Sequence, residues 1–389
     1  MKRRRCDILI VILIATLFIG CKVDEKAVEE VPAASVSTEV PVTDTPAPAT
    51  DTPIAPTETP LPPTEPIPPT ETPEPSPTFT PPAGPPTPRT DGDMDGGEHT
   101  TILLTGDSML GRSVNFRARS EGDLYPFSKV REEISGADIA VTNLESPLIK
   151  DCPPTNEGMV FCGDCALADN LKAAGFDVAM ISNNHIRDWG EKGYAETVDC
   201  LRERNINAVG IDHTLVKSVE GVEHGFLGYD AVWRDIPEEV LQQDIGEIKR
   251  EVDNVLVYFH WGEEYTHEPT EHQVNLAHRA IDHGADIVFG SHPHWIQPIT
   301  FYEDKPIIYS LGNFVFDQGW SEETMRGLAV KLFYDGETLV DIQLLPVKIN
   351  EDWSASWMEG TEKEAFWDDF EMPDLLPDTE SNRAEKNTR

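Results

Sequence analysis

Basic residues are scarce in this chain. Lys and Arg number 31 against 70 Asp and Glu in 389 residues, for a formal net charge of −39 at pH 7. Nucleic-acid binding needs phosphates neutralised by Lys and Arg, so that class of partner is excluded. Long hydrophobic runs are also missing. The apolar stretch from Ile8 to Ile19 is too short to span a bilayer comfortably. It follows the basic cluster Lys2-Arg3-Arg4-Arg5, and the two together mark an export signal. Cysteines are few, six in all, and Cys6 lies within that signal. Cys152, Cys162, Cys165 and Cys200 form an even set that an oxidising compartment would pair as disulfides. The spacing Cys162-Gly163-Asp164-Cys165 also suits half of a zinc site, and four cysteines allow three pairings.

The signal closes on Leu17-Phe18-Ile19-Gly20-Cys21, which resembles the lipobox of bacterial lipoproteins. That resemblance implies a signal peptide over residues 1–21, a lipid on Cys21 and an extracytoplasmic, membrane-anchored lipoprotein. Residues 22–98 hold 20 of the 32 prolines, interleaved with Thr, Ala, Ser and Glu. A segment so poor in apolar residues is expected to be a disordered, extended linker, at most ~3.1 Å per residue. A single folded domain is expected over residues 99–376, long enough to bury a large core, with a disordered tail at 377–389.

Within that domain short apolar runs alternate with helical periodicity, which reads as an α/β fold. Strands are expected at Thr101–Thr105, Ile139–Thr142, Phe176–Ile181, Ile206–Gly210, Val222–Gly228, Val255–Phe259, Ile287–Phe289 and Ile307–Ser310. Helices are expected at Tyr125–Ile134, Ala166–Ala174, Gly193–Arg204, Ile236–Val252, Thr270–His283 and Glu362–Phe370. Gly327–Tyr334 and Thr338–Ile349 alternate like antiparallel strands and are expected to complete a second sheet. The unit Val255–Phe289 reads as β-α-β, and such folds bind ligands outside the carboxyl ends of their strands. Asp107, Glu145, Asn184 with His185, His260, and His292 with His294 all stand at such ends. One strand-end acid is usually a helix cap. Several ends tipped with Asp, Glu, Asn and His are better explained as nitrogen and oxygen ligands of one or two divalent ions, Zn, Mn or Fe.

Several motifs carry a more specific resemblance. They are Gly106-Asp107-Ser108-Met109-Leu110-Gly111-Arg112, Asn143-Leu144-Glu145-Ser146-Pro147-Leu148, Asn183-Asn184-His185-Ile186-Arg187-Asp188-Trp189-Gly190, His260-Trp261-Gly262-Glu263-Glu264-Tyr265, Gly290-Ser291-His292-Pro293-His294 and Ser310-Leu311-Gly312-Asn313-Phe314. Together they resemble the CapA family, named for capsule and poly-γ-glutamate synthesis, whose domain is similar to the calcineurin-like metallophosphoesterases. The resemblance implies a layered β-sheet sandwich flanked by helices. It implies Asp107, Glu145 (bridging), Asn184, His260, His292 and His294 as metal ligands and His185 as the proton donor to a leaving group. One departure stands out: the phosphoesterase pattern opens Asp-x-His, and here Met109 holds the third place, a poor ligand for hard ions.

Asp188 reads as a carboxylate that orients a histidine. Arg112 reads either as a group that grips a substrate anion or as half of an ion pair. Trp261, Trp295 and Tyr265 either wall a groove or pack, and Asn313 points towards the same mouth. The function implied is a metal-dependent hydrolase or transferase acting on a cell-surface polymer or its precursor, with other capsule-synthesis proteins as partners. The other reading is a non-catalytic surface assembly factor with a degenerate site. The anchor gives the first prediction. Cys21→Ser should release the protein from membranes or block its processing, because stable anchoring takes more than one acyl chain. Unchanged membrane fractionation and unchanged mass would contradict it.

Overall fold

The computed structural model describes residues 86, 88–90, 99–122, 124–155 and 157–370. The export signal, Cys21, nearly all of the proline-rich segment and residues 371–389 lie outside the described residues.

The chain opens with β1 (Thr100–Ser108), buried along its length, then α1 (Arg112–Glu121), α2 (Arg131–Gly136) and β2 (Ile139–Leu144). The two-residue strands β3 (Leu148–Ile149) and β4 (Gly163–Asp164) flank a loop, followed by α3 (Leu167–Ala174), β5 (Val178–Met180), α4 (Gly190–Glu203) and β6 (Asn207–Val209). β1, β2, β5 and β6 pair in parallel, so their carboxyl ends lie along one edge. Gly175 ends α3 in the left-handed region at φ 110°, where a side chain would be strained.

Next come β7 (Leu215–Val219), β8 (Val222–Ala231), α5 (Glu238–Ile248), β9 (Asn254–Trp261), α6 (Glu271–Asp282), β10 (Ile287–Ser291), β11 (Ile299–Tyr302) and β12 (Lys305–Ile308). They form a second sheet in the order β11-β12-β10-β9-β8-β7, parallel from β8 through β12 by way of β9 and β10. A capping box starts α6: the Thr270 side chain accepts from the Gln273 backbone, and Gln273 reaches back to Thr270. The chain then returns to the first sheet with β13 (Asn313–Val315), β14 (Arg326–Asp335), β15 (Thr338–Ile349) and β16 (Ala355–Trp357), and ends in α7 (Gly360–Asp369).

The two sheets pack face to face. Ile102, Leu104, Val141 and Val178 of the first meet Phe226, Leu256, Tyr258 and Phe289 of the second. The outer face of the first sheet is covered by Leu171, Leu201 and Ile134, that of the second by Leu241, Ile245, Leu276 and Ala277. Burial on both faces explains why the central strands read as unbroken apolar runs. Each such side chain contributes about 1.5–3 kcal/mol. The architecture is the α/β sandwich flanked by helices expected from the sequence.

Four details differ from the sequence pattern. β14 and β15 extend the first sheet, β14 pairing antiparallel with β1, rather than completing the second. Alternation fixes a strand's buried face but not its partner. Residues 124–130 form turns, and only Arg131–Gly136 is helical. Pro126 disfavours helical backbone at Tyr125 before it, and Phe127 and Val130 each bond to the carbonyl three residues back. α1 has only Arg112, Val114 and Asn115 buried, too few for an apolar period. Arg89, within the expected linker, bonds through its backbone to Ile342 and Leu344 of β15. The four cysteines pair as Cys152–Cys162 and Cys165–Cys200.

Gly106 lies where β1 meets the chain entering β13. A Cβ there would stand 2.0 Å from the Gly312 carbonyl oxygen. Gly106→Ala should therefore cost about 1–3 kcal/mol of stability, read as a lowered melting temperature. An unchanged melting temperature would show that this approach is not needed.

Candidate metal centre

Both sheets deliver polar side chains to one edge of the sandwich. Asp107 is in register with Asn143 of β2 and Asn313 of β13, and Glu145 follows β2 directly. On the second sheet His260 is in register with Ser291, so His292 emerges one residue beyond the strand end. His292 and His294 hold positive φ angles of 101° and 59° around Pro293. Such backbone costs on the order of 1–3 kcal/mol per residue and persists where its surroundings enforce it.

Asp107, Glu145 and His260 are wholly buried, and His292 and His294 nearly so. One Asp107 oxygen accepts from the Asn143 amide at 2.8 Å. The other lies 3.2 Å from His294 Nδ1 and accepts from the His292 backbone at 3.3 Å. Glu145 Oε1 is 3.9 Å from His260 Nε2 and 3.8 Å from His294 Nε2. His260 Nε2 also meets Asn184 Oδ1 at 2.9 Å, and its ring centre lies 4.9 Å from that of His292. The structure thus brings Asp107, Glu145, Asn184, His260, His292 and His294 into one cluster.

Two atoms of the cluster, Glu145 Oε1 and His292 Nδ1, are buried with no hydrogen-bond partner among the described residues. An unsatisfied buried acceptor costs about 1–3 kcal/mol, and a cation would satisfy both lone pairs. Two donors each about 2.1 Å from one ion can stand no more than about 4.2 Å apart. The Glu145–His260 and Glu145–His294 separations fall inside that limit, and ligand atoms of Asp107, Glu145 and His260 all lie within 4.8 Å of one another. The donor set, carboxylate, imidazole and amide, suits Zn, Mn or Fe.

Protonation follows from burial. Burial and the charge of Asp107 beside it hold the Glu145 carboxyl well above its usual range. Burial would raise Asp107 too, but the hydrogen bond and charge of His294, the charge of His260 and the Asn143 amide bring it below the usual range. Burial, then the neighbouring His292, push His260 well down, and burial and His294 push His292 down to about 3. Both imidazoles are therefore neutral near pH 7 and ready to ligate.

His185 stands beside the cluster. Its Nδ1 meets Asp188 Oδ2 at 2.9 Å, its ring stacks on Phe161 with centres 4.0 Å apart, and its backbone amide donates to Asn183. Arg112 is ion-paired: Nε donates to Asp317 at 2.9 Å, a second guanidinium nitrogen contacts the same carboxylate, and a third donates to the Gly158 carbonyl. Met109 is fully buried and packs in an apolar cluster with Phe161, Phe316 and Ile349. Asn313 Oδ1 meets His294 Nδ1 at 3.0 Å. Trp261 is core rather than wall: it is fully buried and donates to the Tyr309 carbonyl. Tyr265 and Trp295 are half-buried neighbours of His294 and His267.

Five residues escape the sequence pattern. The Asn143 amide lies within 3.4 Å of Asp107, Glu145 and His260, and Asn183 in turn donates to Asn143. Both are strand-end amides beside quoted ligands, a signal that was available. Tyr258 meets His260 Nδ1 at 2.9 Å, and Asp230 lies in register with His260 on β8. The run Val222–Tyr229 ending on an acid matches the other strand ends. Asp317 has no sequence signal.

Fold and site together define a two-sheet α/β protein with a buried acid–imidazole–amide centre at its strand ends. Residues 101–318, more than half of the chain, match the family model of the bacterial capsule synthesis protein PGA_cap, and the chain belongs to that family. A Bacillus anthracis capsule biosynthesis protein CapA is 30% identical over 282 residues, 65% of this chain and 68% of that one. The PGA biosynthesis protein CapA of Bacillus subtilis (strain 168) is 32% identical over 241 residues, 56% of this chain and 63% of its own length. Among solved structures, a putative 5'-nucleotidase from Staphylococcus aureus overlaps 70% of this chain and 58% of its own at 16% identity and a TM-score of 0.44.

Uptake of a divalent ion should release protons. Burial and Asp107 raise the proton affinity of Glu145, which must ionise to ligate, whereas burial lowers that of His260 and His292. Zinc titrated into chelator-stripped soluble domain at pH 7 should release about one proton per ion. It would appear as a buffer-dependent calorimetric enthalpy that Glu145→Gln removes. A buffer-independent enthalpy in the wild type would contradict this.

Proposed function

We propose that the protein is an extracytoplasmic, lipid-anchored, metal-dependent hydrolase or transferase that acts on a capsular or poly-γ-glutamate polymer or its precursor. The observation that carries this reading is the pair of unpartnered buried atoms, Glu145 Oε1 and His292 Nδ1, inside the acid–imidazole cluster. Family membership and the names of the Bacillus relatives support the polymer. Two disulfides support an oxidising compartment.

Asp107, Glu145, Asn184, His260, His292 and His294 would hold the ion or ions. A bound divalent ion supplies Lewis-acid polarisation of a phosphoryl or acyl oxygen. The rest falls to the chain's own groups. Asn143 fixes the two carboxylates, and Asn313 and Tyr258 fix the rings of His294 and His260 by hydrogen bonds that orient a ligand. Asp188 holds His185 Nδ1, which leaves Nε2 as the atom to hand a proton to a leaving group. Arg112, with Asp317, Gly158 and the rings of Phe161 and Phe316 around it, stiffens the rim.

One observation favours the second reading, a non-catalytic assembly factor. Met109 stands in place of the histidine of Asp-x-His and is sealed in apolar packing, so one ion position lacks a ligand. Zinc- or manganese-loaded soluble domain, given bis(4-nitrophenyl) phosphate and γ-glutamyl-4-nitroanilide, decides between them. Metal-dependent turnover of either is expected. His185→Ala should lower it roughly 10²–10⁴-fold with metal content unchanged, and His292→Ala should lose the metal. No turnover by fully loaded wild type would give way to the assembly reading, whereas full activity in His185→Ala would remove only the proton-donor role of His185.

A further inference from the structure

Cys152 and Cys162 close a loop whose two ends are already tied down. Leu148 of β3 pairs with Gly163 of β4, and the Gly163 amide donates to the Pro147 carbonyl at 2.8 Å. The disulfide adds a covalent tie across only ten positions of sequence. Near its end the loop carries three apolar residues in a row with opposite fates. Met159 and Val160 are 60% and 59% exposed, while Phe161 is fully buried. Simple hydrophobic collapse would not leave two of three outside.

Phe161 makes two contacts with the His185–Asp188 pair. Its ring stacks on the His185 imidazole at 4.0 Å and 27° between planes, and its backbone amide donates at 2.6 Å to the same Asp188 oxygen that holds His185 Nδ1. The Arg112 guanidinium lies 4.7 Å from the Phe161 ring centre and is anchored by Asp317 and the Gly158 carbonyl. Room to shift is small, because a Cβ on Gly111 would stand 2.9 Å from the Cys162 carbonyl oxygen.

We propose that the disulfide-closed loop is a clamp and that Phe161 is a positioning residue, fixing the His185 ring by stacking and the Asp188 carboxylate by its backbone amide. The role assigned to His185 rests on the function proposed above; the clamp itself does not, and the test separates them. In soluble domain labelled with ¹³C-histidine, with the His185 signal assigned by its loss in His185→Gln, the stacked ring should shift the His185 ring protons upfield. Phe161→Leu should abolish that shift with metal content unchanged, and Phe161→Tyr should restore it. Cys152→Ser/Cys162→Ser should weaken the shift, whereas Cys165→Ser/Cys200→Ser should keep it. If the loaded enzyme turns over, Phe161→Leu should lower kcat by up to roughly 100-fold, the size of effect a misplacement of about 1 Å can have, with KM little changed. An unaltered His185 shift in Phe161→Leu, or in the Cys152/Cys162 variant, would overturn the clamp whatever the activity. A lost shift in an enzyme without turnover would retain the clamp and remove only the proton-donor role.

Discussion

Two carboxylates, Asp107 and Glu145, lie side by side with no exposure to water, and the rest of the structure depends on how they are tolerated. Neighbouring negative charges in a low-dielectric interior repel strongly, and one proton or a cation must compensate. Within the protein the compensation is incomplete. Asn143 gives its amide to both, and His294 and the His292 backbone serve Asp107, but Glu145 Oε1 has no hydrogen-bond partner among the described residues. A protein that had no use for the pair would be more stable with apolar residues there.

Neither sheet builds this site alone. The first brings Asp107 and Glu145 on adjacent parallel strands, and Asn184 and His185 just past β5. The second brings His260 and, one residue beyond β10, the His292-Pro293-His294 turn. The spacing between the halves is set by the apolar layer between the sheets, Ile102 and Leu104 against Tyr258 and Phe289 among others. A core substitution far from the ligands would therefore reach the site as a change in ligand spacing. At His292 and His294 the turn itself holds backbone that the local chain would not choose.

Much of this was legible from the residues because it rests on local patterns. Apolar runs ending in polar triplets gave the strand ends, and parallel topology gathers such ends wherever the helices lie. Partnership was not legible. Alternation in Gly327–Tyr334 and Thr338–Ile349 states that one face is buried but not against which sheet; β14 pairs with β1 and β15 lies beyond it. Arg112 read equally as anion grip or ion pair, since Asp317, its partner, is 205 positions away. Which cysteines pair depends on the loop around β3 and β4, too short in strand for any periodicity to announce. Asn143 and Asn183 are a different case. They sit within the motifs, but their part is to hold ligands, and a residue's type alone does not divide holding from ligating.

The central claim is that these six side chains hold a metal ion. X-ray absorption spectroscopy on the zinc-loaded soluble domain tests it directly. The spectrum should show a first shell of nitrogen and oxygen at about 2.0–2.2 Å with the outer-shell scattering of two or more imidazoles, lost together when His260 and His292 are replaced. A shell of oxygen alone, without imidazole scattering and unaltered by those replacements, would place the ion elsewhere and contradict it.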